Sequence, residues 1–284
     1  MTDTEEDKTE LYVKDTGSAQ IHGQIFEYKF WALVFLRAKN KGYKFKLASN
    51  VKGYGKFDDV VEYIVDNSRK KHIFVLLKSQ IKHTITTNTT ITKDDLLEEK
   101  GKFWIRQYYD SYIQIENKFN CSAGVKLEGS IDDSLFILYT NADVASNLKS
   151  NKVTDIGEEE FLMAGGYVLQ FNEVEHKAIY QHLQKLANHR EFLSRFRIFY
   201  SQADEKEMDR HIKSELKQIM KLPESELEIT YMYFIDIMKE WWQHKNFFLK
   251  DLNSRENDPL WKTSEKAKPN LVAKMLDQRK SELD

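Results

Sequence analysis

Asp58 and Asp59, followed nineteen residues after the second by Lys78, are the residue types in this chain best suited to phosphodiester chemistry. They sit in FDDVVEYIVDNSRKKHIFVLLKSQ, where two apolar runs, Val60 to Val65 and Ile73 to Leu77, flank a polar stretch from Asp66 to Lys71. β-Branched and aromatic runs about a polar turn predict a β-hairpin. With the turn centred between Ser68 and Arg69, counting outward sets Asp59 opposite Lys78. A carboxylate facing an ammonium on adjacent strands could help hold Mg²⁺ and polarise a water, or it could be an ordinary cross-strand ion pair. Hairpin counting leaves both readings open.

The surrounding elements must position these groups. Upstream, apolar residues at helical spacing from Ile25 to Leu36 predict a helix stopped by Gly42 and followed by a short strand, Phe45 to Ala48. Glu27 lies in that helix beside the apolar face of Phe26, Phe30, Leu33 and Val34, where a carboxylate could reach over a sheet edge. Downstream, Leu96 to Tyr112 reads as helix and SLFILYT, Ser134 to Thr140, as a compact strand. The order is helix, three strands, helix, strand.

GQIFEY, KFDDVV, FVLLK, FWIRQYYDSY and FILYTN, taken in that order, resemble the PD-(D/E)xK nuclease-like superfamily. The similarity is to the subgroup with a QxK last motif, found at the head of bacterial antiviral effectors and of insect ankyrin-repeat or NTPase proteins. It covers about the first half of the chain; REFLSRFRIFYSQADEKEMDRHIKSEL and the Trp241–Trp242 pair also look like the helical segment that follows in the insect proteins. The resemblance implies an α/β fold, a restriction-endonuclease-like core with a mixed central sheet, followed by a mainly helical region. It further implies a metal-dependent DNA endonuclease with Glu27 and Asp59, joined by Asp58, as ligands of Mg²⁺ or Mn²⁺, and Lys78 orienting the attacking water.

One position departs from the pattern. Two residues before the lysine the family carries Glu, Asp or Gln, and here stands Leu76. Strand alternation puts Leu76 and Lys78 on one face, with Gln80 next along it. The alternative to a working or weakened nuclease is therefore a pseudonuclease acting as a nucleic-acid or protein-binding module.

Net charge over the 284 residues is only −2. Its distribution is uneven, since Lys29, Arg37, Lys39, Lys41, Lys44, Lys46, Lys52 and Lys56 follow one another with no acidic residue between them. Lys39, Lys41, Lys44, Lys46, Lys52 and Lys56 are the candidate contacts to a phosphate backbone, DNA being expected over RNA; a solvated lysine surface explains them equally well. KGYGK fits neither a Walker A loop nor a dinucleotide fingerprint and reads as a strand connection.

Composition, 41% hydrophobic and 31% charged, suits one large or two small globular domains. With no apolar run of membrane-spanning length and no leader-like N-terminus, an intracellular protein, cytoplasmic or nuclear and away from membranes, is expected. Cys121 is the single cysteine, which excludes an intramolecular disulfide framework and a zinc-thiolate cluster. Polarity near 150 to 158 divides the chain into a flexible N-terminus (1–19), a nuclease-like domain (20–150), a helical domain (151–252) and a charged tail or linker (253–284). Helices are expected at Glu173 to Asn188, Glu191 to Phe199, Glu205 to Met220 and Ser225 to Trp242. A protein partner or a second copy of the chain is expected to meet the helical region.

Overall fold

The computed structural model describes residues 16–51, 53–65, 70–78, 90–99, 101–120, 127, 129–149, 161–243 and 262–263. Helix α1 (Thr16–Asn40) ends at Gly42, whose φ of +72° lets its N–H reach the Lys39 carbonyl while Tyr43 N–H reaches that of Ala38. Then follow β1 (Lys44–Ala48), β2 (Val60–Val65), β3 (Lys70–Lys78), β4 (Thr90–Ile91), α2 (Lys93–Leu97) and α3 (Ile105–Asn120). Next come β5 (Leu135–Thr140), β6 (Asp143–Val144), β7 (Tyr167–Gln170), α4 (Lys177–Leu183) and α5 (His189–Arg195). The described elements finish with β8 (Phe196–Tyr200), α6 (Glu205–Met220), α7 (Glu224–Gln243) and β9 (Lys262–Thr263).

The main sheet is mixed, in the order β7-β8-β5-β3-β2-β1-β9, with β3, β5 and β8 parallel and the other pairs antiparallel. Strands β4 and β6 form a small separate pair. Both faces are covered. Alternate residues such as Val60, Ile64, Ile73, Val75 and Ile137 pack toward α1, α6 and α7, while Val61, Phe74, Leu76, Phe136 and Leu138 pack toward α3, α4 and α5. All six residues of β5 are buried, as two-sided coverage of a parallel strand requires.

Three expectations change. The helix expected over Leu96 to Tyr112 is two helices, because α2 stops at Glu98 in extended backbone and the chain turns through Gly101 before α3 begins. The helix expected over Glu191 to Phe199 gives way to strand at Phe196, where Phe196, Ile198 and Tyr200 face α3 and Phe199 faces α1. A dense apolar run satisfies either period, and sheet pairing decided it. The helix expected from Glu173 to Asn188 is formed only over Lys177–Leu183.

The division near residue 150 does not separate two cores. Strands β7 and β8 complete the same sheet, and α6 and α7 cover α1 in one continuous apolar cluster. The tail supplies β9, which pairs with β1 through Lys46–Thr263 and Leu47–Lys262. Residues 1–15, the hairpin tip 66–69, Lys52, Gln80, Cys121 and 150–160 lie outside the described residues, as does most of the tail. No helix among the described residues is long and apolar enough to cross a membrane.

Candidate active site

The β2–β3 ladder runs from Val65–Lys70 to Val60–Val75, two residues tighter than equal counting from Ser68 and Arg69 gives. Asp59 thus lies before the first residue of β2 and next to Leu76 and Leu77, not opposite Lys78. Its Oδ2 accepts a hydrogen bond from the Leu77 N–H at 2.7 Å. Leu76 and Lys78, two residues apart on β3, share a face whatever the register.

The loop ahead of β2 fixes Asp58 and Asp59 by docking on α3. Lys56 N–H donates to Ser111 Oγ at 2.9 Å, and Gly55, at φ +64°, comes so close that a Cβ there would stand 2.4 Å from that oxygen. Phe57 is fully buried against Tyr108, Phe136 and Phe196. KGYGK is therefore a packing loop whose glycines allow close approach to a helix.

Lys78 ends β3 beside Thr140 of β5, whose hydroxyl donates to the Lys78 carbonyl at 2.7 Å. Its ammonium donates to the Lys102 carbonyl and to Tyr108 Oη, the latter at 3.1 Å. It also lies 5.1 Å from the ring centre of Phe103 and 5.4 Å from that of Tyr108. Phe103 and Tyr108 belong to the stretch around FWIRQYYDSY, so the signal for this lysine cradle was present in the sequence; nothing there ranked Lys102 above other lysines.

Charge in this neighbourhood is suppressed. Burial, then the nearby carboxylate of Asp58, pushes Glu27 up to about 7. Burial, then Glu27, pushes Asp59 up to about 8, against the opposing pull of the Leu77 N–H and Lys78. Asp58 is raised as well, by burial. Lys78 is lowered to about 8 by burial and then by the ammonium groups of Lys102 and Lys56, with Asp59 working the other way. The structure thus brings Glu27 from α1, Asp58 and Asp59 from the loop, and Lys78 from β3 into one electrostatically coupled neighbourhood.

The other basic candidates separate by position. Lys56 stands at the cluster, joined by Lys102. Lys39 and Lys41 follow Glu27 by twelve and fourteen residues, placing Lys39 roughly 18 Å away along α1. Lys44 pairs with Val65 at the far end of the hairpin, and Lys46 lies over the Tyr63 ring at 5.6 Å. A pocket of about 440 Å³ opens at that remote end of α1, lined by Arg37, Lys41, Phe161, Met163 and Glu215 among others. Its Arg37 already donates to Glu215 and to the carbonyls of Phe161 and Met163.

Leu76 is 7% exposed and belongs to the apolar layer under α3. It supplies no oxygen to the cluster. Among the described residues no group of three or more His, Cys, Asp or Glu is disposed to hold a metal ion. The carboxylates nevertheless fit a cation's chemistry, since Glu27 raises Asp59's affinity for protons and Asp58 raises that of Glu27, and a positive charge among them would relieve that repulsion. Mg²⁺ commonly uses one or two carboxylates and completes its shell with water or phosphate oxygens.

No protein-family model and no curated protein matches the chain. Among solved structures, the Acinetobacter baumannii Cap4 SAVED/CARF-domain containing receptor, in a structure with the cyclic trinucleotide 3'3'3'-cAAA, aligns at 10% identity and a TM-score of 0.38 over 81% of this chain and 44% of that one. The Moraxella osloensis Cap4 SAVED/CARF-domain containing receptor aligns at 11% identity and a TM-score of 0.39 over 78% of this chain and 42% of that one. The chain spans less than half the length of either receptor, and likeness this distant carries no inference about what it binds.

Proposed function

We propose that this chain is a nucleic-acid-directed module on a restriction-endonuclease-like core, whose acidic and lysine cluster hydrolyses phosphodiester bonds with Mg²⁺ or Mn²⁺, slowly because of Leu76. The observation that supports this reading is the convergence of Glu27, Asp58, Asp59 and Lys78 from three separate elements, with the carboxylates raised and the lysine lowered toward neutrality. A bound divalent cation would act as a Lewis acid and acidify its water. Glu27 and Asp59 would hold it. Lys78, near 8, populates both ammonium and amine around neutral pH, so it can donate to a phosphate oxygen or take a proton from an attacking water. Its contacts to the Lys102 carbonyl and Tyr108 fix where that exchange happens. Lys56 and Lys102 add the positive charge that a phosphate backbone, DNA in our proposal, requires.

A binding-only reading has one observation in its favour: Leu76 lies in the apolar layer and gives the cluster no third ligand from β3. Plasmid nicking in Mg²⁺ or Mn²⁺ separates the two. Slow wild-type nicking that disappears in both Asp59→Ala and Lys78→Ala supports hydrolysis. Salt-sensitive binding without nicking supports the pseudonuclease, and nicking that survives both substitutions removes both readings.

A further inference from the structure

We infer that the nucleic acid taken by this site is single-stranded there, and that Tyr167 stacks on one of its bases; this rests on the preceding reading that a phosphate lies by Lys78. The placement follows from sheet register. Lys78 pairs with Thr140, and Tyr139 pairs with Phe199, so one step further along the parallel strands Thr140 leads to Tyr200, which in turn pairs with Tyr167. Lys78 and Tyr200 both lie on the α3 side of the sheet. With neighbouring strands about 4.8 Å apart, Tyr200 stands roughly 10 Å and Tyr167 roughly 14 Å from the Lys78 position along one edge.

Tyr167 is 64% exposed, while the Tyr200 beneath it is 6% exposed. The two rings stack with centroids 5.6 Å apart at 29°, and Lys149 Nζ, paired with Asp143 at 3.1 Å, lies 5.5 Å from the Tyr200 ring centre. An isolated exposed aromatic would be unremarkable. This one is rigidly presented. The buried Gln202 amide donates to the carbonyls of Tyr167 and Tyr200, each at 3.2 Å, and accepts from Ala164 N–H at 3.0 Å. Gly166, at φ +64°, approaches the Tyr200 carbonyl so closely that a Cβ would stand 2.3 Å from it.

A fixed aromatic face in line with a phosphate-directed cluster matches the chemistry of an unpaired base on its backbone. Within a duplex the base faces are stacked on one another and unavailable away from its ends. The sheet edge therefore selects strands, ends or loops with free bases.

The test is fluorescence anisotropy of the full chain in EDTA, which stops cleavage, with a labelled oligothymidylate and a labelled duplex of the same length. Tyr167→Ala is expected to weaken single-strand binding by about 5- to 100-fold, with Tyr167→Trp restoring it and duplex binding unchanged. The double substitution Lys56→Ala with Lys102→Ala weakens both polymers if the phosphate reading holds. Unchanged single-strand affinity in Tyr167→Ala, or an equal loss on duplex, overturns the stacking inference while a loss in the lysine variant leaves the site reading standing. Wild type that binds neither polymer overturns both.

Discussion

Helix α1 carries charges of two kinds within three residues of each other. Lys29, 7% exposed, faces α6, where its ammonium meets Asp209 at 2.8 Å and Glu205 at 3.2 Å. Burial alone would lower Lys29, but those two carboxylates outweigh it and hold the lysine above its ordinary value. Arg37, two turns on, is matched in the same way by Glu215 at 2.8 Å. Glu27, on the same helix, is driven toward its neutral form by burial and then by the like charge of Asp58, with no opposite charge offsetting them. The contrast separates charges that fasten α1 to α6 from the like charges crowded around Asp59, to which the proposed function gives a charged ligand. Glu62 adds a control: it is 1% exposed, neither carboxylate oxygen is hydrogen-bonded among the described residues, and burial alone raises it. A displaced pKa points to a candidate site where burial is joined by charged neighbours that push the group further toward its neutral form.

The largest effect expected from this contrast is on catalysis. Lys78→Ala should lower the nicking rate by about 100-fold or more, in the range of a lost proton-transfer group. Leu76→Gln should raise it, by returning an oxygen to the face shared with Lys78. Lys29→Ala, in the fastening set, should leave the rate per folded molecule unchanged. Equal losses from Lys78→Ala and Lys29→Ala would erase the distinction between the two regions.

Stability should respond in the opposite order. Removing the Lys29 ammonium leaves Asp209 and Glu205 facing each other, part-buried, with Tyr231 donating to Asp209 and His22 near Glu205. A loss of about 2–4 kcal/mol is expected, read from the urea midpoint at constant slope. Lys78→Ala should cost less, because burial and neighbouring ammonium groups already disfavour its charge.

Much of the sheet was legible because VVEYIV and LFILYT are short runs rich in β-branched and aromatic residues, bounded by turn residues and too short for a helix. RFRIFY was not, since its aromatics suit a helix as well as a strand until β5 is beside them. The unity of the core was hidden for a related reason: polar residues at 150–158 look like a boundary, whereas the pairing of β8 with β5 depends on contacts some sixty residues apart. In the site, residue types and parity could be read, but the register could not, because the turn residues admit centres one residue apart and each such step moves the pairing by two. Lys102 escaped notice because its role depends on a backbone carbonyl and on proximity to Lys78, neither of which leaves a trace in residue type.

Glu62 sharpens the control. Its folded-state value lies well above the ordinary 4.5, so the folded chain keeps a proton that the unfolded chain gives up. Stability contributed by this group is therefore lost as pH rises above the unfolded value. Glu62→Leu, set between Leu47 and Ile73 on the flanking strands, should stabilise the protein by about 1–3 kcal/mol at neutral pH, with less gain at pH 4. Nicking should be unaffected, and a large activity loss in this variant would make Glu62 part of the site.

The smallest effect is the most direct probe of the carboxylates. With Glu27 near 7 and Asp59 near 8, the folded protein holds protons that a cation must displace. Both groups are raised, so the sign is fixed: Mg²⁺ or Mn²⁺ binds more tightly as pH rises from 6 to 8, by at most about tenfold per pH unit for each proton released. Calorimetry in two buffers of different ionisation enthalpy counts those protons. Asp59→Asn should flatten the dependence, since Asn carries no titrating proton, while Glu62→Leu should leave the slope as it is. Cation binding that is flat over this range would mean that Glu27 and Asp59 are not its ligands, and the like-charged cluster on α1 and the β2 loop would then need another cationic partner, with the lysines of a protein or the N-terminus of a peptide as the next chemistry to test.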